Sequence, residues 1–466
     1  MSSRNVFDNI SSLDYRYWDK EAAAYLSEEA FVRYKLMVEL ALVKVLHKRG
    51  LCSEEIVAEV EEACQKVTTQ EVYDEEGRIH HDIRALVNKI REKVSDAAKP
   101  YVHMTATSYD IVDTANAARY RHALEKVLIP HLLKLEEVLI KLALRESKTI
   151  QIGRTHGQHA VPITFGFAIA EYVSRLGNCI LSLQSLTGQI KGKFSGAVGA
   201  HNAPSLFFDD PLEFERQVLI QLAVWPAEYS TQIVPPEELT RVFFEVVLAI
   251  GIMANLADDM RNLQRTEIGE VGEEFGDEQV GSSTMPQKRN PINFENSKSC
   301  WKIVSPRTMT MLMDQICEHQ RDLTNSASSR SYGEVIAYAV SVTKRMIRIM
   351  SKLKVDHSNM KFNLEMTEGL ILAEPLYIML AAYGHPDAHE KVRQLTIEAM
   401  RSDTSIELLA LDDPELQPYI EKMTKKQRNI LSDPALYTGI AAEKAEGLAK
   451  GWAKRFAISI ESKDPS

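Results

Sequence analysis

The chain has 466 residues, 45% of them hydrophobic, enough for a large core and for more than one domain. Its 55 basic and 65 acidic residues leave a formal net charge of −10. That balance disfavours nucleic acid as the main partner, because a phosphate backbone needs a basic footprint; it leaves room for a small anion in a local basic pocket. Cys52, Cys64, Cys179, Cys300 and Cys317 are odd in number and show no close metal spacing. They read as reduced thiols of an intracellular protein. Met1 to Ile10 lacks the apolar core of a signal peptide, and the most apolar stretch, Val246 to Ala254, is too short to span a bilayer. The expectation is a cytoplasmic protein.

Residues 1–20 are polar and aromatic, with Asp14-Tyr15-Arg16-Tyr17-Trp18 among them. Helical patterning begins at Ser27. Ser27-Glu28-Glu29 is a partial capping signal, since Ala30 stands where a capping box has Glu or Gln. Residues 54–66 predict a short charged helix, and another starts around His80-His81-Asp82 and runs through Ile90. Residues 97–110 break the pattern and mark a domain boundary. Beyond it, Leu124, Leu128, Leu132, Leu135, Leu139 and Leu142 form one apolar stripe on a helix over 111–147, with Pro130 as its kink. That helix would span roughly 55 Å at about 1.5 Å per residue. Phe165 to Leu183, Leu239 to Met260 and Val335 to Leu353 repeat apolar residues at alternating intervals of three and four. A fifth helix follows Pro291. This spacing is the seam of a left-handed bundle.

The breaks fall at Gln151 to Pro162, Gly192 to Pro211, Pro235-Pro236 and the acidic Glu267 to Gln279. Strand signals are few, and helices after about Ser358 are shorter and more charged. The reading is an all-α chain: an N-terminal helical domain over 1–109, a central long-helix bundle over 110–357 and a C-terminal helical domain over 358–466. The wide stripes predict burial in a multi-subunit bundle.

The segment Gly281-Ser-Ser-Thr-Met-Pro-Gln-Lys-Arg-Asn-Pro291 is odd for a structural loop. Two prolines frame two adjacent cations, Lys288 and Arg289. Asn290-Pro291 is a good N-cap and first helical residue. A helix start collects free N–H groups and favours an anion. Two serines, a lysine and a helix start describe an anion site with potential nucleophiles or bases. In Gly153-Arg-Thr-His-Gly-Gln-His-Ala160, two histidines stand three apart with no third metal ligand in spacing. A histidine flanked by Thr155 and Gly157 reads as a positioned acid or base. The hydroxyls of Thr107-Ser108 suit a carboxylate, or the N-cap of the long helix, or both.

The 281–291 string closely resembles the signature loop of the fumarase/aspartase superfamily, which eliminates fumarate from substituted succinates. His156 falls at that superfamily's functional histidine, and Thr107-Ser108 in a third shared region. Further stretches resemble the adenylosuccinate lyase family: Ser195-Gly-Ala-Val-Gly199, Ser230-Thr-Gln232, Asn262 to Glu267, Arg321-Asp322 with Ser326 and Arg330, and Asn359 to Glu374. The resemblance covers roughly residues 15 to 375. It implies β-elimination of fumarate from adenylosuccinate and from the succinyl-carboxamide ribotide of purine synthesis, in a homotetramer with shared active sites and without metal or organic cofactor. By resemblance Ser282 is the base, with Ser283 as the alternative. His156 donates a proton to the leaving nitrogen, Glu295 is its partner, and Lys288 and Asn290 stabilise the carbanion-like intermediate. Thr107, Ser108 and Thr155 hold carboxylates. Arg16, Tyr17, His81, His103, Ser326 and Arg330 match nucleotide-binding positions, with Asp82, Gln232, Met285 and Arg321 beside them. One departure stands out: where the family carries an Arg followed by an acid, this chain has Val234-Pro-Pro-Glu-Glu238. Argininosuccinate lyase and carboxymuconate cycloisomerase are the rivals within the superfamily, and an inactive helical scaffold is the rival outside enzymes.

Overall fold

A computed structural model describes residues 9–276, 283–367, 369–402 and 404–460. Asp19 caps α1 (Lys20–Leu26), its carboxylate accepting the Ala22 N–H at 3.0 Å. Ser27 ends α1 and caps α2 (Glu28–Lys48), accepting the Ala30 N–H at 3.1 Å, so this cap works without a capping-box partner. Then come α3 (Glu54–Lys66), as predicted, and α4 (Thr69–Ile79), which periodicity alone does not reveal. α4 carries a full capping box between Thr68 and Glu71. α5 (Asp82–Arg91) is capped by the His81 ring, whose Nδ1 accepts the Arg84 N–H at 3.2 Å.

The long helix predicted over 111–147 is present as α6 (Ser108–Ala123), a π-helical turn (Leu124–Leu128) and α7 (Ile129–Arg145). Pro130 lacks an N–H and crowds the preceding turn. The strain is absorbed ahead of it: the Ile129 N–H bonds to the Leu124 carbonyl, five residues back. On α7, Glu136 is fully buried with neither carboxyl oxygen hydrogen-bonded. Burial pushes its carboxyl up to about 9.

The break read at Gln151 to Pro162 is instead a hairpin. β1 (Ile150–Thr155) and β2 (Gln158–Thr164) pair antiparallel with Thr155 opposite Gln158, leaving a two-residue turn of His156 and Gly157. Both turn residues have positive φ, 54° and 75°, as a type I′ turn requires. Asn or Asp is commoner than His at the first of these positions, so the turn signal is weak in the sequence.

α8 (Phe165–Thr187), β3 (Lys191–Gly192), α9 (Pro211–Ile220), β4 (Trp225–Pro226) and α10 (Glu237–Leu263) follow. α10 is longer than the apolar stretch read from sequence, and by length and composition it would cross a membrane. Over half of its apolar window, 56%, is buried inside the protein, which is the behaviour of a core helix. The chain continues with β5 (Val271–Gly272), α11 (Ile292–Val304), α12 (Arg307–Met313), α13 (Tyr332–Met350) and β6 (Lys354–Val355). Short helices follow: α14 (His357–Glu365), α15 (Ala373–Ala382), α16 (Ala388–Ser402), α17 (Ile406–Asp412), α18 (Gln417–Ile420), α19 (Lys425–Ser432) and α20 (Ala441–Arg455). Among the described residues, strands form only two-stranded sheets, and the fold is all-α in character.

Contacts divide the chain into two interleaved units. The first comprises Met1–Leu132, Asn178–Met253 and Ser299–Lys344; the second comprises Leu133–Gly177, Ala254–Lys298 and Arg345–Ser466. In the first, the Tyr120 ring meets Phe243 edge-on at 5.5 Å and Phe243 meets Tyr332 at 5.4 Å, tying α6, α10 and α13 together. In the second, α15 to α17 enclose a separate apolar cluster that includes Leu376, Leu380, Leu395 and Ile406.

Candidate active site

The first unit contains a cleft of about 580 Å³. Its walls are the starts of α5 and α6, the segment from Gln232 to Leu239, and the segment from Arg321 to Tyr332. Of the residues singled out from sequence, His81, Asp82, Ser108, Gln232, Arg321, Ser326 and Arg330 line it. Their distance in sequence, from 81 to 330, means only the tertiary fold can gather them.

Beneath the cleft lies a buried polar scaffold. Asp110 and Lys193 are both fully buried and form an ion pair. Asp110 also accepts the backbone N–H groups of Thr107 at 2.8 Å, Ser195 at 3.1 Å and Gly196 at 3.2 Å. That satisfies the charge on every side. It also ties the start of α6 to the Ser195–Gly199 stretch. Ser195 and Ser230 share a hydroxyl hydrogen bond at 2.7 Å. Gly199 has φ 80°, and a Cβ there would fall 2.0 Å from the Ser230 carbonyl oxygen, so only glycine fits. The stretches around 107, 195 and 230 therefore cooperate as support for the cleft wall.

Within the cleft, Gln232 donates its backbone N–H to the Gln320 carbonyl at 3.2 Å, fixing the chain next to Arg321. Arg321 is held at φ 131°, a conformation that costs energy for a residue with a Cβ. Its Nε and Nη1 are buried with no hydrogen-bond partner. Buried N–H groups without an acceptor are costly and fit an anion bound in the cleft. Arg330 is exposed. Burial pushes up the Asp82 carboxyl, but Lys35 at 3.2 Å and the Ile83 N–H outweigh it and lower the pKa. Sequence reasoning missed Asp113 on α6. Burial raises its carboxyl to about 6 against the opposing pull of the Val234 N–H, Lys193 and Arg321. Nothing in the local sequence marks Asp113, because its environment is built from residues far along the chain. Glu76, Glu238 and Asp322 add an acidic side to the cleft, and the Pro235-Pro236 departure lies in its wall.

Other predicted residues of this unit stand off the cleft lining. Arg16 is exposed, and Tyr17 packs against the Tyr338 ring at 5.6 Å. Thr107 is the N-cap of α6. His103 pairs with Glu39, Nδ1 to Oε1 at 2.6 Å.

The second unit carries Thr155 and His156 at the hairpin tip, both exposed. The stem is anchored by the fully buried Glu270. Its carboxylate accepts bonds from Arg154 at 2.6 Å, Gln151 at 2.7 Å and Asn363 at 2.8 Å. Asn363 belongs to the stretch after Asn359 that carries the family resemblance, so its role here is to hold the hairpin.

Of the loop 281–291, Gly281 and Ser282 lie outside the described residues. Ser283, Met285 and Lys288 are exposed, Asn290 is half-buried, and Glu295 is exposed on the first turn of α11. The cap falls one residue later than read from sequence: the Glu295 N–H bonds to the Pro291 carbonyl at 3.0 Å, and α11 begins at Ile292. The helix start is also not an open anion site. Glu273, buried, accepts the Asn293 N–H at 3.0 Å, the Phe294 N–H at 2.9 Å and the Asn293 side chain at 2.6 Å. The chain's own carboxylate therefore fills the place predicted for an external anion, since a helix start attracts whichever acid the fold brings there. Among the described residues, no three His, Cys, Asp or Glu side chains gather as metal ligands.

Comparison with known proteins places these features. A lyase family model matches residues 9–304, and an adenylosuccinate lyase C-terminal model matches residues 317–427. Adenylosuccinate lyase of Pyrococcus horikoshii is 35% identical over 440 residues, covering 93% of this chain and 96% of its own length. That of Archaeoglobus fulgidus is 34% identical, covering 95% and 98%. Among solved structures, 3-carboxy-cis,cis-muconate lactonizing enzyme from Pseudomonas putida superposes with a TM-score of 0.85 at 25% identity, covering 96% of this chain and all of its own. Fumarate lyase from Mesorhizobium sp. BNC1 gives 0.83 at 23%, covering 93% and 98%. The architecture is thus common to several chemistries, whereas the C-terminal match and the near full-length relatives at a third identity are not: this chain belongs to the adenylosuccinate lyase family.

Proposed function

We propose that this protein cleaves adenylosuccinate to AMP and fumarate, and the succinyl-carboxamide ribotide to its carboxamide ribotide and fumarate. The observation that carries this reading beyond family membership is Arg321. Two of its guanidinium nitrogens, Nε and Nη1, are buried without a hydrogen-bond partner, in a cleft that also holds Arg330, Ser326, Ser108 and His81. A nucleotide phosphate supplies the anion that such a site lacks.

In the proposed reaction a base takes the proton from the carbon beside a succinyl carboxylate. The electron pair left behind becomes the fumarate double bond, the C–N bond breaks, and the nitrogen takes a proton. Ser282 is the base, and His156 gives the proton to nitrogen with Glu295 beside it. Lys288 and Asn290 stabilise the developing negative charge. Thr107, Ser108 and Thr155 hold carboxylates. A serine is a weak base until its anion is stabilised, which a closing loop and Lys288 supply.

The active site is shared between subunits of a homotetramer. Exposed apolar side chains along α12 and just beyond it, Met309, Met313 and Ile316, support a subunit contact there. The three-domain division at 109/110 and 357/358 goes with this reading. The five free cysteines suit the cytoplasm. The cycloisomerase reading draws on structural likeness alone and lacks the C-terminal match.

Ultraviolet absorbance of adenylosuccinate during incubation with the protein tests the function. Cleavage is expected for both succinylated purine ribotides and not for argininosuccinate or carboxymuconate. Turnover of either of the last two in place of the first would overturn the assignment. Mixing His156→Ala with Ser282→Ala subunits, dissociating and reassociating them, tests the shared site. Recovered activity is expected, and verified hybrids that stay inactive would sink it.

A further inference from the structure

Glu39 lies in the middle of α2, within a helix whose neighbouring positions Val38, Ala41 and Leu42 form core. Its carboxylate is fully buried. A lone carboxylate in such a place is strongly unfavourable. One oxygen meets His103 Nδ1 at 2.6 Å, and the other is buried with no hydrogen-bond partner. The histidine comes to it at a cost, with its backbone at φ 65°, a left-handed conformation uncommon for a residue with a Cβ. Two unfavourable features meeting in one short contact indicate a constraint other than stability.

We propose that Glu39 is a positioning residue for His103. Its carboxylate accepts the Nδ1 proton, fixes the ring, and leaves Nε2–H as a donor for an anionic oxygen of the substrate. The proposal rests on the functional reading above, together with the family resemblance that sets His103 among nucleotide-binding positions. A carboxylate has no proton to give, so it selects the Nδ1–H form of its partner, and the other nitrogen carries a proton whenever the ring is charged. The His103 side chain is one-fifth exposed, so it reaches solvent while its partner does not. Burial of the ring opposes its charged form, but Glu39, with Asp110 from α6, outweighs this and the opposing Arg84 from α5, and the imidazole pKa rises. A histidine with a raised pKa is charged below that value and loses its charge as pH climbs through it. Anion binding through His103 is therefore strongest on the acidic side and fades as pH climbs through that raised value.

Glu39→Gln tests this. It keeps the shape of the side chain and removes the charge. The Michaelis constant for adenylosuccinate is expected to rise about ten-fold or more, with a smaller change in kcat, since a charge-assisted hydrogen bond is at stake. The alkaline fall of kcat/KM is expected to move to lower pH. His103→Ala and the double variant should then match each other. Inhibition by AMP and by fumarate tells whether the anion is phosphate or carboxylate: weaker inhibition by one alone identifies it. A folded Glu39→Gln protein with the wild-type pH profile and Michaelis constant, or a double variant whose loss is the product of the single losses, would overturn the proposal. If Glu39→Gln does not fold, nitrogen NMR of labelled histidine in the wild-type protein decides. His103 is expected to hold its Nδ1 proton throughout and titrate above an ordinary histidine, and an unprotonated Nδ1 overturns the pairing. That titration stands even if no succinyl substrate is turned over, so failure of the functional reading and failure of this proposal are separable.

Discussion

In the first unit, the cleft residues rest on polar groups that are themselves buried and satisfied. Asp110, Lys193, Ser195 and Ser230 form a hidden scaffold, and in the cleft Arg321 keeps its buried Nε and Nη1 without a hydrogen-bond partner. In the second unit, the groups assigned to the chemistry stand exposed. His156 is the first residue of a two-residue turn, and Ser283 and Lys288 lie on an exposed loop. Support there stops one step short, at Glu270 under the hairpin stem and Glu273 under α11. A binding cleft is served by rigidity before the ligand arrives. Groups that move protons are served by a fixed stem and a tip free to meet a partner surface or close over a substrate. Buried ion pairs occur in both units, Lys193 with Asp110 and Arg154 with Glu270, whereas the Glu136 carboxyl has no hydrogen-bond partner.

The largest effect should come from the exposed tip. His156→Ala is expected to lower kcat by about 10²- to 10⁴-fold while AMP binding stays near wild type. A comparable loss of AMP affinity would erase the distinction between the regions. Next is the scaffold. Lys193→Met leaves Asp110 buried and unpaired and should cost about 3–5 kcal/mol of stability, read by denaturant unfolding. Little change would mean that the cleft wall is not held from beneath.

Glu136 gives the opposite sign. Its folded pKa of about 9 lies above the ordinary carboxyl value, so the folded state holds the proton longer than the unfolded chain. Stability therefore falls as pH rises from about 4.5 towards 9, by at most about 1.4 kcal/mol per unit. Glu136→Gln should match wild type near pH 4.5 and exceed it by up to about 3 kcal/mol at pH 7, a gain visible in melting temperatures. Equal melting curves at both pH values would show that the carboxyl finds a partner in solution.

Within the cleft, Arg321→Ala should weaken AMP binding about 10- to 100-fold and fumarate binding far less, as calorimetry would show. Equal losses would point to a collapsed cleft. The smallest change concerns the departure near Pro235. Glu238→Gln removes one acid from the cleft and should tighten AMP binding by a factor of about two to five, with the gain shrinking at high salt. Weaker binding would give Glu238 a direct role in holding the ligand.

Local pattern alone determined much here. Apolar residues at intervals of three and four announced the long helices, and Ser27 announced a cap. Both depend on contacts within a turn or two, which sequence carries directly. The 281–291 string and the Gly-Arg-Thr-His-Gly stretch pointed to the chemistry for the same reason: their residues are neighbours in the chain. Only tertiary structure decided what depends on distant partners. It turned a supposed break into a hairpin, set Glu273 from outside the helix against the start of α11, and brought His81, Ser108, Gln232 and Arg321 to one cleft. It also made Asp113 unusual by burying it beside Val234, over a hundred residues away. Burial, pairing and pKa are properties of surroundings, and a residue's surroundings are assembled by the fold.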